Sequence, residues 1–89
     1  MARNIKKRLI DILELPKEVV LNLPLISITG REEMSIENYK GIIEYTEEKI
    51  RINTSAGVLK IEGKAMVLQQ ITSENIVIKG NIMKFEYLI

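Results

Sequence analysis

Cysteine, histidine and tryptophan are absent from this chain, and aspartate occurs once, as Asp11. Each absence removes a class of chemistry. Without histidine there is no Ser-His triad, no imidazole general base and no histidine metal ligand. Without cysteine there is no disulfide framework, no thiolate nucleophile and no cysteine-ligated metal, a usage that fits a reducing compartment. A single aspartate leaves no Asp- and Asn-rich calcium loop. Aromatic residues are limited to Tyr39, Tyr45, Phe85 and Tyr87, with no basic surplus around them, which argues against a base-stacking nucleic-acid sheet. The formal net charge of +1 gives no bulk attraction to nucleic acid or anionic membrane. Long apolar runs are also missing. The longest, VVLNLPLISI, is interrupted by Asn22 and Pro24 and is half the roughly 20 residues a spanning helix needs, so no transmembrane segment is expected. The basic start is broken by Asp11 and Glu14 and lacks a small-residue cleavage site, against a secretory signal.

The groups that remain have ordinary explanations. Ser27, Ser35, Ser55 and Ser73 fall in strands or turns without a nucleophile-elbow pattern. The glutamates from Glu32 to Glu86 mostly lie in turns or alternate outward beside Lys or Arg, as a solvated face does, and no two stand apart as an acid-base pair. Gly30, Gly63 and Gly80 follow strand-like segments but belong to no phosphate-cradling pattern, so turn glycines are expected. Asn53-Thr54-Ser55 matches a glycosylation sequon in letters alone. No enzyme, cofactor or metal is indicated.

At 89 residues the chain is one small domain, able to bury about 60–65% of its unfolded surface, so its stability margin is thin. Ile5, Leu9, Ile12 and Leu13 form one stripe of a helix that ends before Pro16, with Arg3, Lys6, Lys7 and Arg8 around its start. Residues 1–15 are therefore expected to be a basic amphipathic helix and residues 16–89 a single all-β domain. The helix packs on the domain, awaits a partner or lies on an anionic surface. From residue 25 the apolar period becomes two: Ile50, Ile52 and Thr54 alternate with Arg51 and Asn53, Leu59 and Ile61 with Lys60 and Glu62, Phe85 and Tyr87 with Lys84 and Glu86. Breakers at GREE, NYKG, TEE, TSAG, GK, TSEN and GN recur about every eight residues.

That spacing predicts a meander of about seven to eight short, mainly antiparallel strands, folded as a sandwich or roll. The pentads LISIT, IIEYT, LKIEG and IVIKG recur at a spacing of 17 residues, two strands plus two turns, and leave a β-solenoid with a 17-residue coil as the alternative. The apolar pair occupies the second and fourth positions in the first two pentads and the first and third in the last two. Such a one-residue slip favours hairpins with bulges over a strict coil.

Several strands also carry apolar neighbours that point to opposite faces: Leu25 with Ile26, Ile42 with Ile43, Val58 with Leu59, Val67 with Leu68, Val77 beside Ile78, and Ile82 with Met83. Either the sheet folds over, or the helix covers its second face, or a surface is left for another chain. The candidate interaction residues are accordingly Arg3, Lys6, Lys7 and Arg8 on the helix and Ile42, Val58, Val67, Val77 and Ile82 on the sheet. Met34-Ser35-Ile36 and the C-terminal MKFEYLI are the candidate edge strands.

The runs LPKEVVLNLP, ENYKGIIEYTEEKIRI, GVLKIEG and IVIKGNIMKFEYL, in that order and spacing, resemble the YabP/YqfC family of bacterial sporulation proteins, on its YqfC side, over about residues 14–88. Leu25 departs from the family, where arginine often follows the proline, so a charge-dependent role there does not carry over. The resemblance implies a non-enzymatic protein of the mother cell, needed for spore maturation and working at the developing spore envelope. It also implies a membrane-protein partner, because family members are encoded beside YqfD or YabQ, and hence a cytoplasmic or peripheral location at the outer forespore membrane. A scaffold or adaptor, able to self-associate, is the expected function. The competing class is a binding module for a small ligand or cell-wall fragment.

Overall fold

The computed structural model describes residues 22–88, and the segment carrying Arg3, Lys6, Lys7 and Arg8, with its expected helix, lies outside them. Six strands occur among the described residues: β1 (Leu25–Thr29), β2 (Glu33–Glu37), β3 (Tyr39–Tyr45), β4 (Lys49–Thr54), β5 (Gly57–Gln69) and β6 (Asn75–Leu88). They form one open sheet in the order β1-β2-β6-β5-β4-β3. Every neighbouring pair is antiparallel, which rules out the coil of a solenoid. The expected all-β antiparallel architecture is present as a single sheet, but not as a simple meander: β2 pairs with β6 and not with β3, and the strands are fewer and longer than the breaker spacing predicts.

The difference lies in β5 and β6, which run 13 and 14 residues through the expected breakers GK and GN. Both strands bend there instead of turning. Register shifts between Glu62/Gly63 and between Lys64/Val67 mark two bulges, with Met83 extra on β6 and Ala65 and Met66 crowded opposite Gly80 on β5. The neighbouring hairpins seat their turns against these bends: Gly63 and Met66 donate to the carbonyls of Glu48 and Glu47, and Gly80 and Ile82 to those of Glu32 and Arg31. β4 pairs with the first half of β5 and β2 with the first half of β6, so the flanking hairpins sit at opposite ends of the long one.

A single residue, Asn38, links β2 on one flank to β3 on the other. With so short a connection the two flanks must meet, and the sheet rolls on itself. Asn38 takes a left-handed conformation at φ 64° and donates its backbone N–H to the Glu74 carbonyl at 2.7 Å, while the Tyr39 hydroxyl donates to the Thr72 carbonyl. The core fills the concave side. Cross-strand partners share a face, so the registers define inward rows Ile42–Ile52–Leu59–Tyr87 and Tyr45–Ile50–Ile61–Phe85 in one half, and Ile28–Met34–Ile78–Leu68 and Ile26–Ile36–Ile76 in the other. Ten of these and adjoining residues, from Met34 to Ile82, make one buried cluster. Each fully buried aliphatic chain contributes roughly 1.5–3 kcal/mol, which is how so small a sheet stands.

Candidate functional site

β6 changes neighbours along its length. Residues 75–79 pair with β2, with 77–79 also pairing with β5, and residues 80 and 82 bond the β1–β2 turn, but from 83 to 88 the strand has β5 on one side and no strand among the described residues on the other. The edge that results is not apolar by accident of composition. The inward rows that are fully buried at β4 and β5 end at this strand, so Phe85 and Tyr87 keep 48% and 43% of their surface, although their row partners Ile61 and Leu59 keep almost none. Met83, the bulged residue, is 61% exposed beside them. At the opposite end of the same rows, Ile42 and Tyr45 on β3 are also half-exposed.

The convex side of this half is a charge ladder. Glu44, Arg51, Lys60 and Glu86 follow one another across β3, β4, β5 and β6, with Lys49, Glu62 and Lys84 in the adjacent row. Arg51 bonds Glu44 at 2.8 Å, and Lys60 reaches Glu62 at 3.3 Å and Glu86 at 3.4 Å. The Arg51 hydrogen bond holds the Glu44 carboxyl below its ordinary range, Lys84 and then Lys60 do the same for Glu86, and Glu62 raises Lys60. Every one of these shifts favours the charged form, as in a structural ladder, whereas a general acid would need the reverse. A depression of about 530 Å³ on this side is lined by Glu48, Lys49, Glu62, Gly63, Met83 and Lys84. Its cations and carboxylates alternate, so it presents no single sign to a ligand.

The five sheet residues singled out from the sequence do not converge. Ile42 is exposed on the β3 edge, and Val67 is 40% exposed on the convex side of the other half, diagonal to half-buried Val77. Val58 is half-buried between Asn53 and Leu88. Ile82 is a core residue, 4% exposed, with its N–H held by Arg31, and offers no surface. Met34-Ser35-Ile36 is no edge either, because β2 is paired on both sides. The C-terminal MKFEYLI does lie at an edge through residue 88. Phe85 and Tyr87 read in the sequence as ordinary half-buried positions; only the strand order shows that no strand among the described residues covers their far side.

Among the described residues no group of three or more His, Cys, Asp or Glu is placed to hold a metal, and no helix is long and apolar enough to cross a membrane. Comparison with known proteins gives one family and one curated relative. Residues 22–88 match the YabP family. "Uncharacterized protein YqfC" of Bacillus subtilis (strain 168) is 34% identical over 76 residues, 85% of this chain and 82% of that protein. No solved structure matches significantly. With the whole described sheet inside the matched region, the chain belongs to the YabP family.

Proposed function

We propose that this chain is a non-enzymatic structural or adaptor module of spore-envelope maturation, acting in the mother cell by joining protein surfaces. The observation that carries the reading is the edge at residues 83–88, where Phe85 and Tyr87 are half-exposed on a strand whose backbone pairs with no strand on one side among the described residues. Such an edge is a template for adding another strand: main-chain hydrogen bonds give affinity and alternate side chains give selectivity. The sporulation setting comes from the family resemblance. The same resemblance supplies a YqfD-like membrane protein as partner and a peripheral position at the outer forespore membrane. In this reading the edge assembles the module, and Arg3, Lys6, Lys7 and Arg8 turn it towards that membrane protein.

The test is capture from detergent-solubilised membranes of sporulating cells on the immobilised full chain. Recovery of a YqfD-like membrane protein, lost with Lys6/Lys7→Glu, is the expected result. Turnover of a substrate by the purified chain would overturn the proposal. The second reading, a binding site for a small ligand or cell-wall fragment, rests on the 530 Å³ depression around Glu62 and Lys84. Amide shifts confined to its lining residues on addition of muropeptides would favour it over assembly.

A further inference from the structure

We infer that the occupant of the open edge is a second copy of this chain, paired antiparallel through β6 about a two-fold axis at Phe85. The inference rests on the assembly reading above and names its partner and register. A two-fold axis that continues a sheet keeps each face on its own side, so directly opposed residues must share a face and the two residue numbers must sum to an even value. Three registers overlap this short edge well, centred on residue 84, 85 or 86.

Side-chain charge separates them. Lys84 and Glu86 both project to the convex side, are 58% and 38% exposed, and flank inward-facing Phe85. Centring on 84 sets Lys84 against Lys84, and centring on 86 sets Glu86 against Glu86; like charges directly opposed are destabilising. Centring on 85 sets Lys84 of each copy against Glu86 of the other, twice. The row Lys49, Glu62, Lys84 then continues into Glu86 and Lys60 of the second copy with the sign still alternating. On the concave side, the row Tyr45–Ile50–Ile61–Phe85 meets its own copy at Phe85, covering the ring that the monomer leaves half-exposed. A lysine on an edge strand commonly guards against pairing. Here it blocks the 84-centred register and is satisfied in the 85-centred one. The pairing starts where the bonds among the described residues stop, because Ile82 is already held by Arg31.

Sedimentation equilibrium on the full chain, with circular dichroism to confirm the fold, reads the prediction directly. The wild type is expected to dimerise, and Lys84→Glu and Glu86→Lys are each expected to weaken the dimer about tenfold or more, since each places two like-charged pairs in the interface. Mixing the two variants restores opposite charges at both pairs and is expected to return a heterodimer of near wild-type affinity. Failure of that rescue would overturn the inference. The register is tested by cysteine, which the chain lacks. Directly opposed residues lie within disulfide reach whereas the diagonal ones do not, so Phe85→Cys should cross-link and Lys84→Cys or Glu86→Cys should not. A strictly monomeric full chain at high concentration, or cross-linking at 84 or 86 in place of 85, would sink the proposal. A monomer that still captures the membrane protein would fail this inference and leave the adaptor reading intact; a dimer that captures nothing would do the opposite.

Discussion

At the scale of single residues, the roll depends on two glycines where strands approach too closely for a side chain. A Cβ on Gly63 would sit 2.2 Å from the Asn81 carbonyl oxygen, and one on Gly80, at φ 149°, would sit 2.7 Å from the Ala65 carbonyl oxygen. Backbone cannot yield as the end of a flexible side chain can. Gly63→Ala and Gly80→Ala are each expected to cost at least about 2 kcal/mol in urea unfolding, whereas Gly41→Ala, with open space around its Cβ position, should cost less than about 1 kcal/mol. Equal costs at the three sites would remove close approach as the reason for the bend. The ladder residues give a pH signature. Glu44 is depressed in the fold, so its contribution is fully present above the ordinary carboxylate range and is lost as pH falls through the lower folded value. An NMR carboxyl titration should place Glu44 below the ordinary glutamate range, and Arg51→Met should move it back up, since Arg51 is the first cause of the shift.

At the scale of elements, β6 holds one residue more than its partner segment on β5. Gly63 opposes Ile82 and Glu62 opposes Lys84, so Met83 is surplus to the ladder. Deleting Met83 leaves every other side chain on its face, and the variant is expected to lose less than about 1 kcal/mol of stability. Deleting Phe85 forces the neighbouring residues to exchange faces, carrying charge into the inward rows, and should cost more than about 3 kcal/mol. Comparable unfolding midpoints for the two deletions would contradict the register.

The same strand shows what the sequence made legible. Alternation at 50–54, 59–62 and 84–87 marked the inward residues correctly, whereas the phase change between the pentads falls between Tyr45 and Leu59 and did not locate the bulges at Met83 and at Ala65–Met66. Gly63-Lys64 and Gly80-Asn81 misled because glycine serves a turn and a close crossing equally well. The crossing partner is far along the chain and leaves no local trace. Nor could the edge be read locally: Phe85 alternates as any half-buried strand residue does, and its exposure follows from β2 leaving β6 at Lys79.

At the scale of the molecule, one sheet supplies both walls of one core. Ile50 and Ile52 from one flank share a buried cluster with Met34 and Ile36 from the other, and Asn38 ties the flanks in a single step. Neither half can keep its inward rows dry without the other. The chain should therefore unfold as one cooperative unit, although its long hairpin has two visibly different ends. Far-UV circular dichroism reports the whole sheet, and with no tryptophan present the fluorescence of Tyr39, Tyr45 and Tyr87 reports the half that contains them. The two urea curves should coincide at a fixed protein concentration. Ile36→Ala, in the half with no tyrosine, should lower the tyrosine midpoint together with the dichroism midpoint, by an amount equivalent to about 2–5 kcal/mol for a truncated core isoleucine. If it moved only the dichroism, leaving the tyrosines at their wild-type midpoint, the halves would be separate units, and the roll would be two small sheets in contact with no shared core.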